Sequence, residues 1–125
     1  MIHYTSFSIK PRLSKRERLK RRLERHLQAT GGTVRFTVRG NSMGDTIRNG
    51  ETVLVQFAPS SKITRGMVGY IRRGDKRIVH RILAVLGPIC LEKGDANRSP
   101  RLCLRRNIVG FVQSETNTPA ANGPS

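Results

Sequence analysis

Three polar side chains in this sequence are of the kinds that cooperate in nucleophilic catalysis: Ser42, His80 and Asp95. A serine hydroxyl becomes a good nucleophile only when a base removes its proton. Imidazole can act as that base near neutrality, and a carboxylate on its other nitrogen orients the ring. These residue types therefore match the chemistry of acyl transfer, provided that the fold brings them together.

Ser42 lies on a turn between two segments with the alternating pattern of β-strands. Gly40 permits a sharp bend just before it, and the apolar Met43 beside it is suited to anchor the turn in the core. Asn49-Gly50 indicates a second turn before the next strand. A serine in such a place either exposes its hydroxyl or only stabilises the turn, and the local pattern alone favours the second interpretation.

His80 lies in a predicted strand, on the same face as Ile78 and Ile82. A lone histidine in such company is more often structural than catalytic, so its neighbours do not decide its role. Asp95 lies on a Lys-Gly-Asp turn. It is placed either to accept the second imidazole N–H or to bond its own backbone.

Four segments, taken together and in order, resemble the sequence boxes of the signal peptidase and LexA-like serine peptidases, the S24/S26 superfamily. They are Ser42-Met43 with residues 50–55, then residues 78–83, 91–97 and 107–112. The resemblance is closest to the Ser–His type of the endoplasmic reticulum and archaea, because a histidine stands where bacterial signal peptidases have lysine. It implies Ser42 as nucleophile, His80 as base and Asp95 as orienting acid, with no cofactor and no metal.

The pattern of residues 33–113 predicts a mainly β domain, because short apolar segments alternate with Gly, Pro, Asn and Asp turns. The resemblance implies the small, coiled, barrel-like β fold of that superfamily. Strands are predicted at residues 33–39, 52–58, 67–72, 77–86, 88–92 and 107–113. Residues 114–125 are polar, contain two prolines and are predicted to be a disordered tail.

Residues 1–32 form a basic N-terminal segment with a predicted helix at about 14–29. Ser14 is the expected N-cap, with Glu17 as its capping-box partner, and Gly31 and Gly32 end the helix. Leucines recur every four residues on one side of this helix, at Leu19, Leu23 and Leu27.

The net charge is +16, and residues 1–39 contribute +9 of it, from 11 Lys/Arg and 2 acids. Such a charge predicts an anionic partner, either membrane lipid or nucleic acid. The leucine stripe leaves three roles open for the helix: docking on the β domain, lying on an anionic membrane or contacting phosphates. Docking is the ordinary expectation.

The sequence has no apolar segment of about 18 residues and no apolar N-terminal signal. We therefore expect a soluble cytoplasmic protein without a transmembrane segment, with peripheral membrane attachment as the alternative. Cys90 and Cys103 lie in apolar surroundings and are expected to be reduced thiols that could face each other across adjacent strands.

These observations predict a serine endopeptidase that hydrolyses an extended peptide or protein segment through a Ser42–His80 dyad. Two other function classes remain. One is a catalytically inactive member of the same superfamily that binds a peptide at a sheet edge. The other is a basic nucleic-acid-binding module, which only the charge supports because no recognised binding motif accompanies it.

Overall fold

The structure is a computed structural model that describes residues 12–113. The first part of the basic segment and the predicted disordered tail at 114–125 lie outside the described residues. Within this range, one α-helix precedes seven strands: α1 Lys15–Thr30, β1 Thr33–Thr37, β2 Thr52–Phe57, β3 Val68–Arg73, β4 Lys76–Leu86, β5 Ile89–Lys93, β6 Arg101–Leu104 and β7 Ile108–Val112. The mainly β architecture expected from the sequence is confirmed.

All seven strands belong to one antiparallel sheet in the order β1-β2-β7-β3-β4-β5-β6. Six of them match the strands predicted from alternation, within two residues at either end. The sequence pattern missed β6, a strand of four residues that, among the described residues, pairs only with β5. Three of the four side chains of β6 are exposed. The strand therefore has no buried face that would require apolar residues to alternate with polar ones.

The core consists of two clusters of mainly aliphatic side chains. One joins the segment after β1 to β2, β3, β4 and β7, and the other joins β3, β4, β5 and β7. Strand β4 contributes to both, with Val79 in the first and Ile82 in the second. The neighbouring strands β3 and β7 also contribute to both clusters, so three adjacent strands join the two halves of the core.

Helix α1 begins and ends as the sequence predicts. The Ser14 hydroxyl accepts a hydrogen bond from the Glu17 backbone N–H at 3.0 Å. Gly31 adopts the left-handed conformation at φ 72°, and its N–H donates to the Leu27 carbonyl at 2.8 Å. The Glu17 side chain does not complete the predicted capping box. Its carboxylate accepts hydrogen bonds from Arg21 and Arg77 instead.

The helix packs on the sheet through carboxylates, and the prediction of a docked leucine stripe is wrong for two of its three members. Leu19 and Leu23 are 63% and 56% exposed, and only Leu27 packs against the core. Glu17 and Glu24 are the buried residues of the helix. Their seven-residue spacing puts both on one helix face, so they can meet the same basic side chain of the sheet.

That basic side chain is Arg77 of β4, which is itself buried. Its guanidinium donates to Glu24 at 2.7 and 3.0 Å and to Glu17 at 3.0 Å. Arg72 of β3 approaches Glu24 at 3.7 Å. A buried guanidinium needs counter-ions, which explains why glutamates rather than leucines face the sheet.

We expect Glu24→Ala to lower the free energy of unfolding by about 3 kcal/mol or more, because it leaves Arg77 buried with only part of its compensation. The matched control is Leu23→Ala, at the residue just before Glu24. It removes an exposed side chain and should change the free energy of unfolding by no more than about 0.5 kcal/mol. Equilibrium urea unfolding measures both. Equal losses in the two variants would contradict docking through the carboxylates.

Candidate active site

The turn that carries Ser42 is held at several points. The Gly40 N–H donates to the Asn49 side-chain oxygen at 2.8 Å, and Gly40 has a φ of 94°, in the region that favours glycine. Met43 is 1% exposed, so it anchors the turn in the core, as the sequence suggested. Ser42 itself remains half-buried. Its backbone is therefore fixed while its side chain stays at the surface of the domain.

The segment after β5 supports the same turn from the other side. The Ala96 N–H donates to the Ser42 carbonyl at 2.8 Å. A Cβ atom on Gly94 would lie 2.5 Å from the Ser42 carbonyl oxygen and 2.8 Å from its Cβ. Only glycine allows so close an approach, so the Gly94–Ala96 turn contributes by holding Ser42 in place.

His80 lies on β4 with its ring directed at Ser42. Its Nε2 atom is 3.1 Å from the Ser42 Oγ atom, and the residue is only 8% exposed. When the neutral ring carries its proton on Nδ1, Nε2 accepts the hydrogen bond from the Ser42 hydroxyl. The structure thus brings together the two residues that the sequence suggested as nucleophile and base, in a geometry suited to proton transfer.

The carboxylate beside His80 belongs to Glu92 of β5. Its Oε1 atom is 2.6 Å from His80 Nδ1, and its Oε2 atom accepts a hydrogen bond from Arg73. Glu92 is completely buried. It therefore occupies the position behind His80 that the sequence interpretation gave to Asp95, and Ser42, His80 and Glu92 form a candidate triad in one hydrogen-bonded series.

Asp95 instead forms a bidentate ion pair with Arg81. The guanidinium Nη2 and Nε atoms lie 2.7 and 3.1 Å from the two carboxylate oxygens. This pair satisfies both oxygens of Asp95, so the assignment of that residue as the acid behind His80 is corrected. A sequence signal for Glu92 did exist. It alternates with buried Cys90 on β5, and a carboxylate at a core-facing strand position requires a partner.

The surroundings of Glu92 favour its ionised form. Burial alone would raise the pKa of this carboxyl, but hydrogen bonds from His80 and Arg73, and the charges of both, hold it below its ordinary value. The pKa of Asp95 is also lowered, with the Arg81 hydrogen bonds as the largest cause. Both carboxylates are therefore anionic at neutral pH.

A cavity of about 530 Å³ adjoins Ser42. Its walls come from residues 36–39, at and after the end of β1, and from residues 76–79 of β4. Within the described residues, β1 pairs only with β2, and β5 pairs with β4 only from Arg81 onward. Both walls therefore present backbone edges that are free to pair with an extended chain.

Cys90 and Cys103 are opposite each other on β5 and β6, and both are free thiols. Burial raises the pKa of Cys103 to about 11, so this thiol is protonated and a weak nucleophile at neutral pH. Among residues 12–113, no group of three or more His, Cys, Asp or Glu side chains could hold a metal ion. In the same range, no helix has the length and hydrophobicity needed to span a bilayer.

Comparison with known protein families matches residues 10–103 to the family described as Peptidase S24-like. The matched range is well over half of the 125-residue chain, and it contains Ser42, His80 and Glu92. A comparison with curated proteins finds no significant match.

Glu92 should make stability depend on pH in a defined direction. Because its folded pKa is depressed, its contribution is fully present above the ordinary value of 4.5 and is lost as the pH falls through the folded pKa. We expect Glu92→Gln to be less stable than the unmodified protein by about 2 kcal/mol near neutrality. This difference should shrink progressively below pH 4.5. Urea unfolding of both proteins across this pH range measures it, and a constant difference would contradict the ionised, hydrogen-bonded state.

Proposed function

Because the chain belongs to the Peptidase S24-like family, we propose that it is a serine endopeptidase that cuts an extended segment of a peptide or protein. The observation that supports this most directly is the unbroken hydrogen-bonded series from Ser42 through His80 to Glu92. A nucleophile, a base and an orienting acid in hydrogen-bond contact form the arrangement that acyl transfer requires.

In the proposed reaction, the substrate enters the cavity beside Ser42 as an extended chain and pairs with the free backbone edges of its walls. His80 Nε2 takes the hydroxyl proton as Ser42 Oγ attacks the carbonyl carbon. Glu92 stays ionised and stabilises the imidazolium that results. The Ser42 backbone N–H is the proposed donor to the oxyanion.

The imidazolium then protonates the departing amine, which leaves an acyl-enzyme on Ser42. His80 next removes a proton from water as it attacks this ester, and the returned proton restores the serine hydroxyl. Arg73 contributes through Glu92, because its hydrogen bond occupies the second carboxylate oxygen and keeps that carboxylate charged. It is thus a positioning residue.

The matched boxes contain one lysine, Lys93, which is the alternative base to consider. Its contacts favour histidine as the base instead. Lys93 donates from its ammonium to the carbonyls of Gly94 and Asn97 at 3.1 and 2.7 Å. It is thereby engaged in holding its own turn. The Ser–His arrangement of the endoplasmic-reticulum and archaeal type is therefore the better analogy for this site than a Ser–Lys dyad.

We expect a fluorophosphonate probe to label the unmodified protein at Ser42, and Ser42→Ala to abolish both labelling and peptide hydrolysis. Glu92→Gln should lower kcat/KM by about 100-fold or more, because a neutral amide stabilises the imidazolium poorly. The matched control is Asp95→Asn, which removes a partly exposed ion pair outside the triad and should stay within about threefold. Labelling site and extent are read by mass spectrometry.

Two results would contradict these assignments in different ways. A folded, unmodified protein that neither reacts with the probe nor cleaves any peptide of a diverse library would favour the catalytically inactive, peptide-binding alternative. If Glu92→Gln retains full activity while Asp95→Asn loses it, Asp95 is the functional acid and the proposed triad is wrong.

We also propose that α1 attaches the protein to an anionic membrane surface. Exposed Leu19 and Leu23 lie among exposed basic side chains, and the helix contains seven Lys/Arg residues. Its two acids, Glu17 and Glu24, face the sheet, so the outward face is cationic and apolar. That combination is suited to a lipid interface, whereas phosphate binding by nucleic acid needs only the charge.

We expect Leu19→Ser with Leu23→Ser to weaken binding to phosphatidylserine-containing vesicles by roughly tenfold or more, because both apolar side chains lose their insertion free energy. Binding to a polynucleotide should be nearly unchanged. Co-sedimentation at fixed ionic strength measures the first, and fluorescence anisotropy measures the second. Unaltered vesicle binding would refute the membrane assignment, and binding only to the polynucleotide would favour a nucleic-acid partner.

A further inference from the structure

Two exposed cations stand in the cavity beside Ser42. Arg39 lies just after β1 on one wall, and Lys76 opens β4 on the other. Both are exposed, and neither makes a side-chain hydrogen bond or ion pair to any of residues 12–113. Their charges are therefore available to a molecule that enters the cavity.

The third cation of the lining differs from these two. The Arg77 side chain is buried, and Glu17 and Glu24 of α1 compensate its charge. Of the described residues, no aspartate or glutamate lines the cavity, so no side chain among them neutralises Arg39 or Lys76 within the lining. The uncompensated charge is thus concentrated at these two positions.

The rest of the lining is largely apolar and well supported. Phe36 packs edge-on against Tyr70, with ring centroids 5.0 Å apart, and Val38 and Val79 belong to the core. An apolar wall excludes water and lowers the local dielectric, which strengthens the field of nearby charges. The cavity therefore combines a firm apolar surface with two charges of one sign.

We propose that this cavity selects substrates with an aspartate or glutamate a few residues from the scissile bond. The proposal rests on the function of Ser42 as nucleophile, which fixes where the cut lies relative to the cavity. An extended substrate between the two walls directs alternate side chains to the same face. One carboxylate at such a position would meet Arg39 and Lys76, while the apolar neighbours receive the backbone and small side chains.

This selectivity differs from the general attraction of a cationic protein for acidic molecules. The net charge of +16 acts on an acidic peptide wherever its carboxylates lie, and mainly affects the rate of encounter. A built subsite acts at one position relative to the cut. The dependence on position, rather than on peptide charge alone, therefore identifies the subsite.

The test uses fluorogenic peptides of one parent sequence, with a single aspartate moved through each position on either side of the cut and asparagine as the matched neutral residue. We expect one position, on one flank, at which aspartate raises kcat/KM about five- to tenfold over asparagine. The ratio should fall as salt is added. Arg39→Glu with Lys76→Glu should abolish this preference and favour lysine at that position.

The control is Arg65→Glu with Arg106→Glu, which changes the net charge equally at exposed residues outside the cavity lining. It should retain the aspartate preference. Binding of the same labelled peptides to the Ser42→Ala protein, followed by anisotropy, provides a readout that needs no turnover. It should show the same position-dependent preference.

The outcomes separate this inference from the proposed peptidase function. If the probe labels Ser42 and peptides are cleaved with no positional preference for acid, or if the control loses the preference equally, the acidic subsite is refuted and the peptidase function stands. If Ser42 is unreactive and nothing is cleaved, the peptidase function is refuted. A positional preference in binding to Ser42→Ala would then assign the cavity to acidic peptide recognition without cleavage, and its absence would refute the subsite too.

Discussion

The burial of a single carboxylate, that of Glu92, fixes the geometry of the candidate active site. Glu92 has no exposed surface, and an isolated buried charge is too costly for a domain of this size to tolerate. Its hydrogen bonds with His80 and Arg73 offset that cost. The same contacts fix the ring orientation that directs His80 Nε2 at Ser42. The requirement for charge compensation thus positions the candidate base.

Strand β4 carries further charged side chains that connect separate parts of the molecule. Arg77 binds the two glutamates of α1, His80 contacts Ser42 in the candidate triad, and Arg81 holds Asp95 beside the turn that supports Ser42. Three polar contacts along one strand therefore connect the helix, the candidate base and the support of the candidate nucleophile. The basic helix is tied to the sheet by these contacts, because both of its glutamates form ion pairs with the same side chain of β4.

The same ion pairs shape the outer surface. Within residues 12–113, Glu17, Glu24, Glu92 and Asp95 form ion pairs with arginines of α1 and of the β3–β4 hairpin. These acids do not balance the remaining Lys and Arg side chains at the surface. The helix face around Leu19 and the cavity beside Ser42 are consequently cationic, and we propose a different anionic ligand for each.

Local patterns in the sequence predicted six of the seven described strands, the two ends of α1 and the Ser42 turn. Alternation of apolar residues indicates which face of a strand is buried, and turn residues indicate where the backbone can bend. Both are short-range properties of the chain. The order of the boxes also made Ser42 and His80 the candidate nucleophile and base, and the family match agrees with the superfamily that the boxes suggested.

Only the tertiary structure decided which acid stands behind His80 and which side of the helix faces the sheet. Glu92 and Asp95 are three residues apart, and both are plausible by type. The register of β4 against β5 and the capture of Asp95 by Arg81 select between them. Likewise, the leucines and the glutamates of α1 each form a stripe, and the buried Arg77 selects the glutamates. In both cases the choice depends on a charge contributed by a distant segment, which local sequence does not reveal.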